Sequence, residues 1–305
     1  MKGLAYINGN FVPLKDAKIS ILDRGFRYGE GLFETICIDK GKAIFLKEHF
    51  ERLKNSAKAL DLKLSVNLEQ VEQITKKLIK DSSINKGLVN VYLTKTDEEE
   101  RNTNFIIVVK DEIRYKESDY KKGYTAIISS IRIDSSLSIN SHKTLSFLPH
   151  ILAKKETSQK GADEAILLST DGFVLEGTTS NIFMIKGDNL ITPPVDSGIL
   201  PGITRAKILQ LAPSVGLKPE EKLVHPVRNR SPLGDRTEMP KAIPISNGVN
   251  VDFLKSCDEV FLTSSLIEVM PVVKIDNTPI NNGKIGRYAV VLRGKYRKMV
   301  KEEGR

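Results

Sequence analysis

Lys143 is the residue of this sequence whose side chain could do covalent chemistry. It lies where a polar loop, residues 138–142, gives way to a predicted helix. A lysine amine attacks carbonyl compounds to form a Schiff base when its surroundings lower its pKa. A lysine in such a place is more often a solvated surface charge, so its own context does not decide its role.

Three further segments place an acid, hydroxyl groups and free backbone amides beside predicted strands and helices. Glu176 precedes the small residues 177–180 between two predicted strands. Residues 200–202 open a predicted helix at Ile203, and the free N–H groups and positive dipole of a helix start suit phosphate. Residues 263–265 add three hydroxyl groups after another strand. Each segment alone is equally consistent with a capped or hydrogen-bonded turn.

Together with residues 28–35 and 49–53, these segments resemble in order and spacing the class IV (fold type IV) pyridoxal-phosphate aminotransferases. The resemblance covers nearly the whole chain. It implies a mixed α/β (α+β) fold in which a small N-terminal and a larger C-terminal domain enclose the cofactor. It also implies a homodimer in which a loop of the neighbouring subunit helps to close the substrate pocket.

The resemblance implies a role for each matching residue. Lys143 would form the Schiff base with pyridoxal 5'-phosphate and move the proton of the substrate Cα. Glu176 would pair with the pyridine nitrogen of the cofactor. The phosphate would be held by Arg52, the backbone of Ile203 and Thr204, and the hydroxyls of Ser264 and Ser265. The substrate pocket would draw on Tyr28, Phe33 and the loop after strand 88–94, where Lys95 and Arg101 are candidates for binding a carboxylate.

The sequence leaves the member of the family open. Residues 101–103 partly match the Arg-Asn-His carboxylate trap of D-amino-acid transaminases, and branched-chain enzymes usually have tyrosine at the position of Leu148. Phe33 is followed by Glu-Thr, as in many 4-amino-4-deoxychorismate lyases. We expect transamination between a D-amino or branched-chain amino acid and a 2-oxo acid. The alternative is the lyase, which expels pyruvate and gives 4-aminobenzoate.

The elements that must position these residues follow from hydrophobic periodicity and turn signals. In the N-terminal part these signals predict a hairpin at residues 4–12, strands at 31–38, 88–94 and 105–109, and amphipathic helices at 47–60 and 68–80. The charged segment 111–122 lacks apolar periodicity and predicts a linker, so we expect domains at 1–120 and 121–305. For the second domain the same signals predict strands at residues 125–131, 164–169, 173–176 and 181–185 and helices at 145–161 and 203–216. Residues 226–248 are rich in proline and arginine, which predicts an inserted exposed loop.

Composition excludes several other classes of protein. Hydrophobic residues make up 40% of the 305 residues, without a run long enough to cross a membrane, and no export signal begins the chain. We therefore expect a cytoplasmic enzyme of small molecules. The net charge is +9, but lysines and arginines alternate with glutamates and aspartates along the chain, which argues against a nucleic-acid partner. Two distant cysteines predict neither a disulfide framework nor a metal site.

Overall fold

The computed structural model describes residues 3–97, 102–112, 115–221 and 249–303. The first part of the chain forms one antiparallel sheet with the order β2-β1-β6-β5-β3-β4. Its elements, in chain order, are β1 (Gly3–Ile7), β2 (Asn10–Pro13), α1 (Arg24–Tyr28), β3 (Gly31–Asp39), β4 (Lys42–Ala43), α2 (Leu46–Ala59), α3 (Leu68–Ser82), β5 (Lys86–Lys95) and β6 (Thr103–Lys110). The predicted hairpin, strands and two helices of this part are confirmed.

One face of this sheet packs against α2 and α3. Alternate residues of each strand point to that face, so Leu32 and Ile36 of β3 meet Leu53 of α2 and Leu78 of α3 in one apolar cluster. The opposite face carries Phe33 and the strand residues that alternate with those of the first face. That second face turns towards the site described below.

The rest of the chain forms a second sheet with the order β12-β11-β10-β13-β14-β7-β8-β9, and β15 pairs with β14. Pairing of Asn181 with Glu176 joins β10 to β9 and closes six strands into a ring. The elements are α4 (Glu117–Lys122), β7 (Tyr124–Ile133), α5 (Leu148–Lys160), β8 (Glu164–Ser169), β9 (Val174–Gly177), β10 (Asn181–Lys186), β11 (Asn189–Thr192), α6 (Ile203–Leu211), β12 (Lys218–Glu221), α7 (Val251–Lys255), β13 (Glu259–Ser264), β14 (Glu268–Ile275), β15 (Thr278–Pro279) and α8 (Arg287–Glu303).

Helices α6 and α8 cover one face of the second sheet. Phe183 and Phe261 are completely buried there, with ring centroids 5.1 Å apart, and Tyr296 of α8 belongs to the same cluster. Burying one such aromatic side chain contributes about 2–3 kcal/mol. The packing fixes α6, and with it the helix start that faces the site.

The predicted linker at 111–122 is partly wrong, because its second half is helix α4. The hydroxyl-bearing ring of Tyr120 is buried, and the guanidinium of Arg293 in α8 lies 3.2 Å from the ring centroid. Arg293 also pairs with Glu117 at 2.7 Å. A helix held by distant ionic contacts shows no apolar periodicity, so the sequence pattern could not reveal it.

Two predicted helices have different bounds in the structure. The helix predicted to begin at residue 145 begins at Leu148, since the backbone before it is bonded to β3. The helix predicted for 203–216 ends at Leu211 and continues as a 3₁₀ turn at Ala212–Val215, where Pro213 cannot donate an N–H. The segment 226–248 lies outside the described residues. The boundary predicted near residue 120 falls between the two sheets, and the division into two domains stays a proposal.

No helix in the described ranges is both long and apolar enough to cross a membrane.

Candidate active site

A cavity of ≈ 280 Å³ lies between the second face of the first sheet and the second sheet. Its wall brings together eight of the residues predicted for the site: Phe33, Arg52, Lys143, Glu176, Ile203, Thr204, Ser264 and Ser265. Tyr28 and Lys95 do not line it. Tyr28 is 57% exposed, and the amine of Lys95 donates to the side chain of Asn102 at 2.9 Å. Arg101 lies outside the described residues.

The segment around Lys143 is bonded to β3 as a short additional strand. The N–H of Phe33 donates to the carbonyl of Lys143 at 2.9 Å, and the N–H of Leu145 donates to the carbonyl of Gly31 at 2.9 Å. These bonds leave the Lys143 side chain on the cavity side, with Nζ 4.3 Å from the centroid of the Phe33 ring. The first sheet therefore positions a lysine that comes from the later part of the chain.

The Lys143 amine is electrostatically prepared for reaction. Burial, followed by the nearby charge of Arg52, lowers the pKa of Lys143 to about 8, against the opposing influence of Glu34 and Glu176. Roughly a tenth of the amine is then neutral at pH 7 and half of it at pH 8. A neutral lysine amine is a nucleophile and a base, whereas a protonated one is neither.

Glu176 lies in β9 with its carboxylate held by two neutral donors. The backbone N–H of Leu200 donates to Oε2 at 3.3 Å, and Nδ2 of Asn181 donates to the same oxygen at 3.0 Å. Burial raises the pKa of Glu176 to about 8, although the Leu200 N–H and the charge of Lys143 oppose it. A buried carboxyl group with a raised pKa is suited to a cationic N–H partner, because the positive charge would favour its ionised form.

The start of α6 offers backbone N–H groups to the cavity. Gly202 precedes the helix, and no side chain caps it. An added Cβ at Gly202 would lie 1.9 Å from Oδ1 of Asn181, so only glycine allows this close approach. The N–H groups of Ile203 and Thr204 are among those that a helix leaves without intrahelical partners. Such a helix start favours an anion.

Beside the helix start lies a buried ionic network that the sequence did not reveal. Arg52 donates to Glu34 from Nε at 2.7 Å and to the Pro201 carbonyl from Nη1 at 2.9 Å. His49 joins Glu34 at 2.7 Å through Nδ1 and Ser265 at 3.1 Å through Nε2. Burial would raise the pKa of Glu34, but Arg52 and His49 bring it down to about 2.

Glu34 and His49 could have been found by one signal. Glu34 stands between Leu32 and Ile36 on the apolar face of β3, and His49 precedes Arg52 by three residues on α2, so polar groups occupy inward positions of otherwise apolar patterns. A charged group at such a position is expected to have a charged partner. The network orients Arg52 and Ser265 at the cavity wall.

The residues of the cavity fit pyridoxal phosphate. An acid for the pyridine nitrogen, a lysine for the carbonyl carbon and an uncapped helix start with hydroxyl groups for the phosphate all line one space. Thr263, also on this wall, has a buried Oγ1 without a hydrogen-bond partner among the described residues, as expected of a group that a ligand oxygen would satisfy. The cofactor, when bound, supplies an electron sink for negative charge at the substrate Cα.

The family model for amino-transferase class IV matches residues 31–230. The chain belongs to the class IV aminotransferases. A putative branched-chain-amino-acid aminotransferase of Methanocaldococcus jannaschii is 32% identical over 301 residues, with 96% of this chain and 94% of the relative covered. A D-alanine aminotransferase of Staphylococcus epidermidis is 31% identical over 286 residues, with 92% of each chain covered.

Solved structures agree with this class IV aminotransferase in fold. A T.th. branched-chain amino acid aminotransferase with pyridoxamine 5'-phosphate has a TM-score of 0.85 at 27% identity, covering 99% of this chain and 95% of that one. The Escherichia coli branched-chain enzyme, at 24% identity and a TM-score of 0.81, covers 99% and 96% and agrees in fold. The predicted fold class, the aminotransferase activity and the use of pyridoxal phosphate are confirmed.

Proposed function

We propose that this aminotransferase moves the amino group of an α-amino acid to a 2-oxo acid with Lys143 as its catalytic residue. The observation that carries the proposal is the position of the Lys143 amine, whose pKa is lowered to about 8, in a cavity that also holds Glu176 and the start of α6. In this proposal Lys143 takes the proton from the substrate Cα. Glu176 holds the proton on the pyridine nitrogen, and Arg52, the N–H groups of Ile203 and Thr204, and the hydroxyls of Ser264 and Ser265 hold the phosphate.

The Lys143→Ala variant tests this role. Loss of a positioned base typically costs about 10²–10⁴-fold in rate, so we expect at least that loss of amino transfer and loss of the visible absorption of covalently held cofactor. The exposed Lys155→Ala in α5 is the matched control and should keep both. Full activity in Lys143→Ala would sink the assignment.

The hand and class of the amino acid are open to direct measurement. The relatives described above carry the names of branched-chain and D-alanine aminotransferases, and they give the lyase no support over transamination. Half-reactions with D- and L-forms of alanine, leucine and valine, followed by conversion of the cofactor to its amine form, would identify the hand. Absence of conversion with every amino acid tried, in either hand, would contradict transamination.

A homodimer is the second part of the proposal. Exposed apolar side chains of the described residues form two groups of three or more, namely Ile19, Ile21, Leu22, Phe26 and Tyr28 around α1, and Leu148, Ile151 and Leu152 on α5. In a dimer, Tyr28 and Lys95 could contact substrate from the neighbouring subunit. We expect light scattering to give twice the chain mass, and Ile21→Asp to weaken the dimer. Val290→Asp on α8 is the control, and a monomeric wild type would exclude this part of the proposal.

The cytoplasmic location and the roles of Tyr28, Phe33, Lys95 and Arg101 in substrate binding stay predictions from the sequence.

A further inference from the structure

The cavity continues beyond Lys143 along the second face of the first sheet. Phe33 and Thr35 point to this face from β3, and Thr35 stands opposite Asn90 of β5. One step further, Leu88 stands opposite Lys110 of β6. Each step of two residues along a strand covers about 6.6 Å, so this part of the cavity has room for a substrate side chain extending from the reacting centre.

Polar groups of Thr35, Asn90, Lys110 and Glu112 stand beside Leu88 on the wall of this extension. The amide of Asn90, 8% exposed, donates to Oγ1 of Thr35 at 2.9 Å. At the end of β6 the amine of Lys110 lies 2.6 Å from a carboxylate oxygen of Glu112, and the two side chains are only 21% and 19% exposed. Both line the cavity. A branched aliphatic side chain would displace water from these groups without replacing its hydrogen bonds, which costs binding energy.

The charges at the far end limit the side chain further. Lys110 and Glu112 carry opposite charges 2.6 Å apart, so a substrate carboxylate would approach the Glu112 anion and a substrate ammonium would approach the Lys110 cation. An uncharged carboxamide carries an acceptor oxygen and N–H donors side by side. Its oxygen can accept from the remaining N–H bonds of Lys110, and its N–H can donate to Glu112.

Resting on the proposed transamination, we infer that the preferred substrate carries an uncharged hydrogen-bonding side chain of the carboxamide class. Thr35, Asn90 and the Lys110–Glu112 pair select it. This preference differs from that for a branched aliphatic side chain. It assigns specificity to Thr35, the last residue of one family segment, and to Asn90 of β5 and the Lys110–Glu112 pair, which lie outside the family segments described above.

Binding of unreactive acids tests the inference separately from turnover. Glutaramate, 4-methylpentanoate and glutarate are the amine-free counterparts of glutamine, leucine and glutamate, and they have no hand. Calorimetry on the cofactor-loaded enzyme should give the tightest binding with glutaramate, by about tenfold over each of the others. Equal or tighter binding of 4-methylpentanoate or of glutarate would overturn the inference.

Two variants assign the preference to residues. Lys110→Met combined with Glu112→Leu should abolish or reverse the preference for glutaramate over 4-methylpentanoate, and Thr35→Val, which keeps the side-chain shape, should reduce it. The exposed pair Lys77–Asp81 on α3 has the same 2.6 Å separation. Lys77→Met combined with Asp81→Leu should leave the ratio unchanged. An unchanged ratio in the first double variant, or in Thr35→Val if that double variant does not fold, would overturn the assignment.

Half-reactions with D- and L-alanine keep the two proposals apart. The methyl side chain of alanine does not reach the extension, so its conversion tests the proposed function alone, and wild type and the Lys77→Met, Asp81→Leu control should convert it equally. Failure with alanine and all other amino acids would contradict the proposed function. A wrong binding order of the three acids in an enzyme that converts alanine would contradict only the carboxamide preference.

Discussion

At the scale of single residues, the site depends on burial acting on two groups of opposite charge. Burial lowers the pKa of the Lys143 amine and raises that of the Glu176 carboxyl, each to about 8. Both groups are thereby brought to the range in which they can exchange protons near neutral pH. The surroundings, rather than the residue types alone, make them reactive.

The Lys143 pKa predicts the pH dependence of cofactor uptake. Only the neutral amine attacks a carbonyl, and its fraction falls about tenfold per pH unit below the pKa. Covalent uptake of pyridoxal phosphate by the apoenzyme should therefore rise with pH to a midpoint at about 8 and level off above it. Visible absorption measured against pH checks this. A midpoint at about 10, the value of a solvated lysine, would contradict the burial argument.

The Glu34→Gln variant should destabilise the protein in a pH-dependent way. Because the pKa of Glu34 lies at about 2 in the folded state and 4.5 is its ordinary value, its stabilisation is complete above pH 4.5 and is lost as the pH falls through 2. Removing it leaves Arg52 and His49 buried without their partner. We expect a loss of about 3 kcal/mol in free energy of unfolding at neutral pH.

Urea denaturation at neutral pH and at about pH 3 measures the Glu34 effect and its decline. Glu72→Gln on the exposed face of α3 is the control and should change little at either pH. A constant difference between wild type and Glu34→Gln across this range would show that the charge of Glu34 contributes nothing.

Motifs in the sequence could predict the residues that touch the cofactor but not those that orient them. Lys143, Glu176 and the start of α6 belong to recognisable segments. Glu34 and His49 stand out only as polar residues at inward positions, and their pairing is a contact between a strand and a helix. Lys110 enters the cavity only because β6 pairs with β5. Such contacts depend on register and packing, which local patterns do not encode.

At the scale of elements, the close approach of α6 to β10 is the feature most sensitive to change. Gly202→Ala would place a Cβ 1.9 Å from Oδ1 of Asn181, so either the helix start or the Asn181 amide, which donates to Glu176, must shift. We expect at least about tenfold weaker binding of pyridoxal phosphate, because the shift would displace either the N–H donors at the helix start or the amide that holds Glu176. Equilibrium dialysis of the apoenzyme measures the affinity.

Gly294→Ala in α8 is the matched control for the Gly202 substitution. Nothing lies within 4 Å of a Cβ at Gly294, and helix propensity favours alanine there by about 0.5–1 kcal/mol. Its melting temperature should rise slightly with the cofactor affinity unchanged. Equal affinities in Gly202→Ala and wild type would refute the close-approach argument.

Hydrophobic periodicity predicted the long amphipathic helices α2 and α3 well, because one apolar stripe on each meets the sheet. It failed where tertiary bonds replace local preference. Thr144 and Leu145 precede α5 and are bonded to β3, and α4 depends on Arg293, more than a hundred residues away.

At the scale of the whole molecule, α8 holds α4, the helix that lies in the connection between the two sheets. Arg293 pairs with Glu117 of α4 and with Glu268 of β14, and its guanidinium lies over the Tyr120 ring. Arg293→Met should lower the free energy of unfolding by about 2 kcal/mol, since charge-assisted hydrogen bonds are lost. Thermal unfolding beside the exposed control Lys298→Met measures the loss. Equal stabilities would mean that α4 is held by apolar packing alone.

The hydrogen bonds between residues 143–145 and β3 restrict how this chain can be recombined with its relatives. A chimera joined near residue 120 would combine β3 from one parent with the lysine segment from the other. These two segments must still form the hydrogen bonds from Phe33 N–H to the Lys143 carbonyl and from Leu145 N–H to the Gly31 carbonyl. The Phe33 ring beneath the amine would also come from a different parent. Exchanges that keep residues 31–35 and 142–147 from one parent should therefore give active hybrids more often than exchanges at the boundary between the sheets.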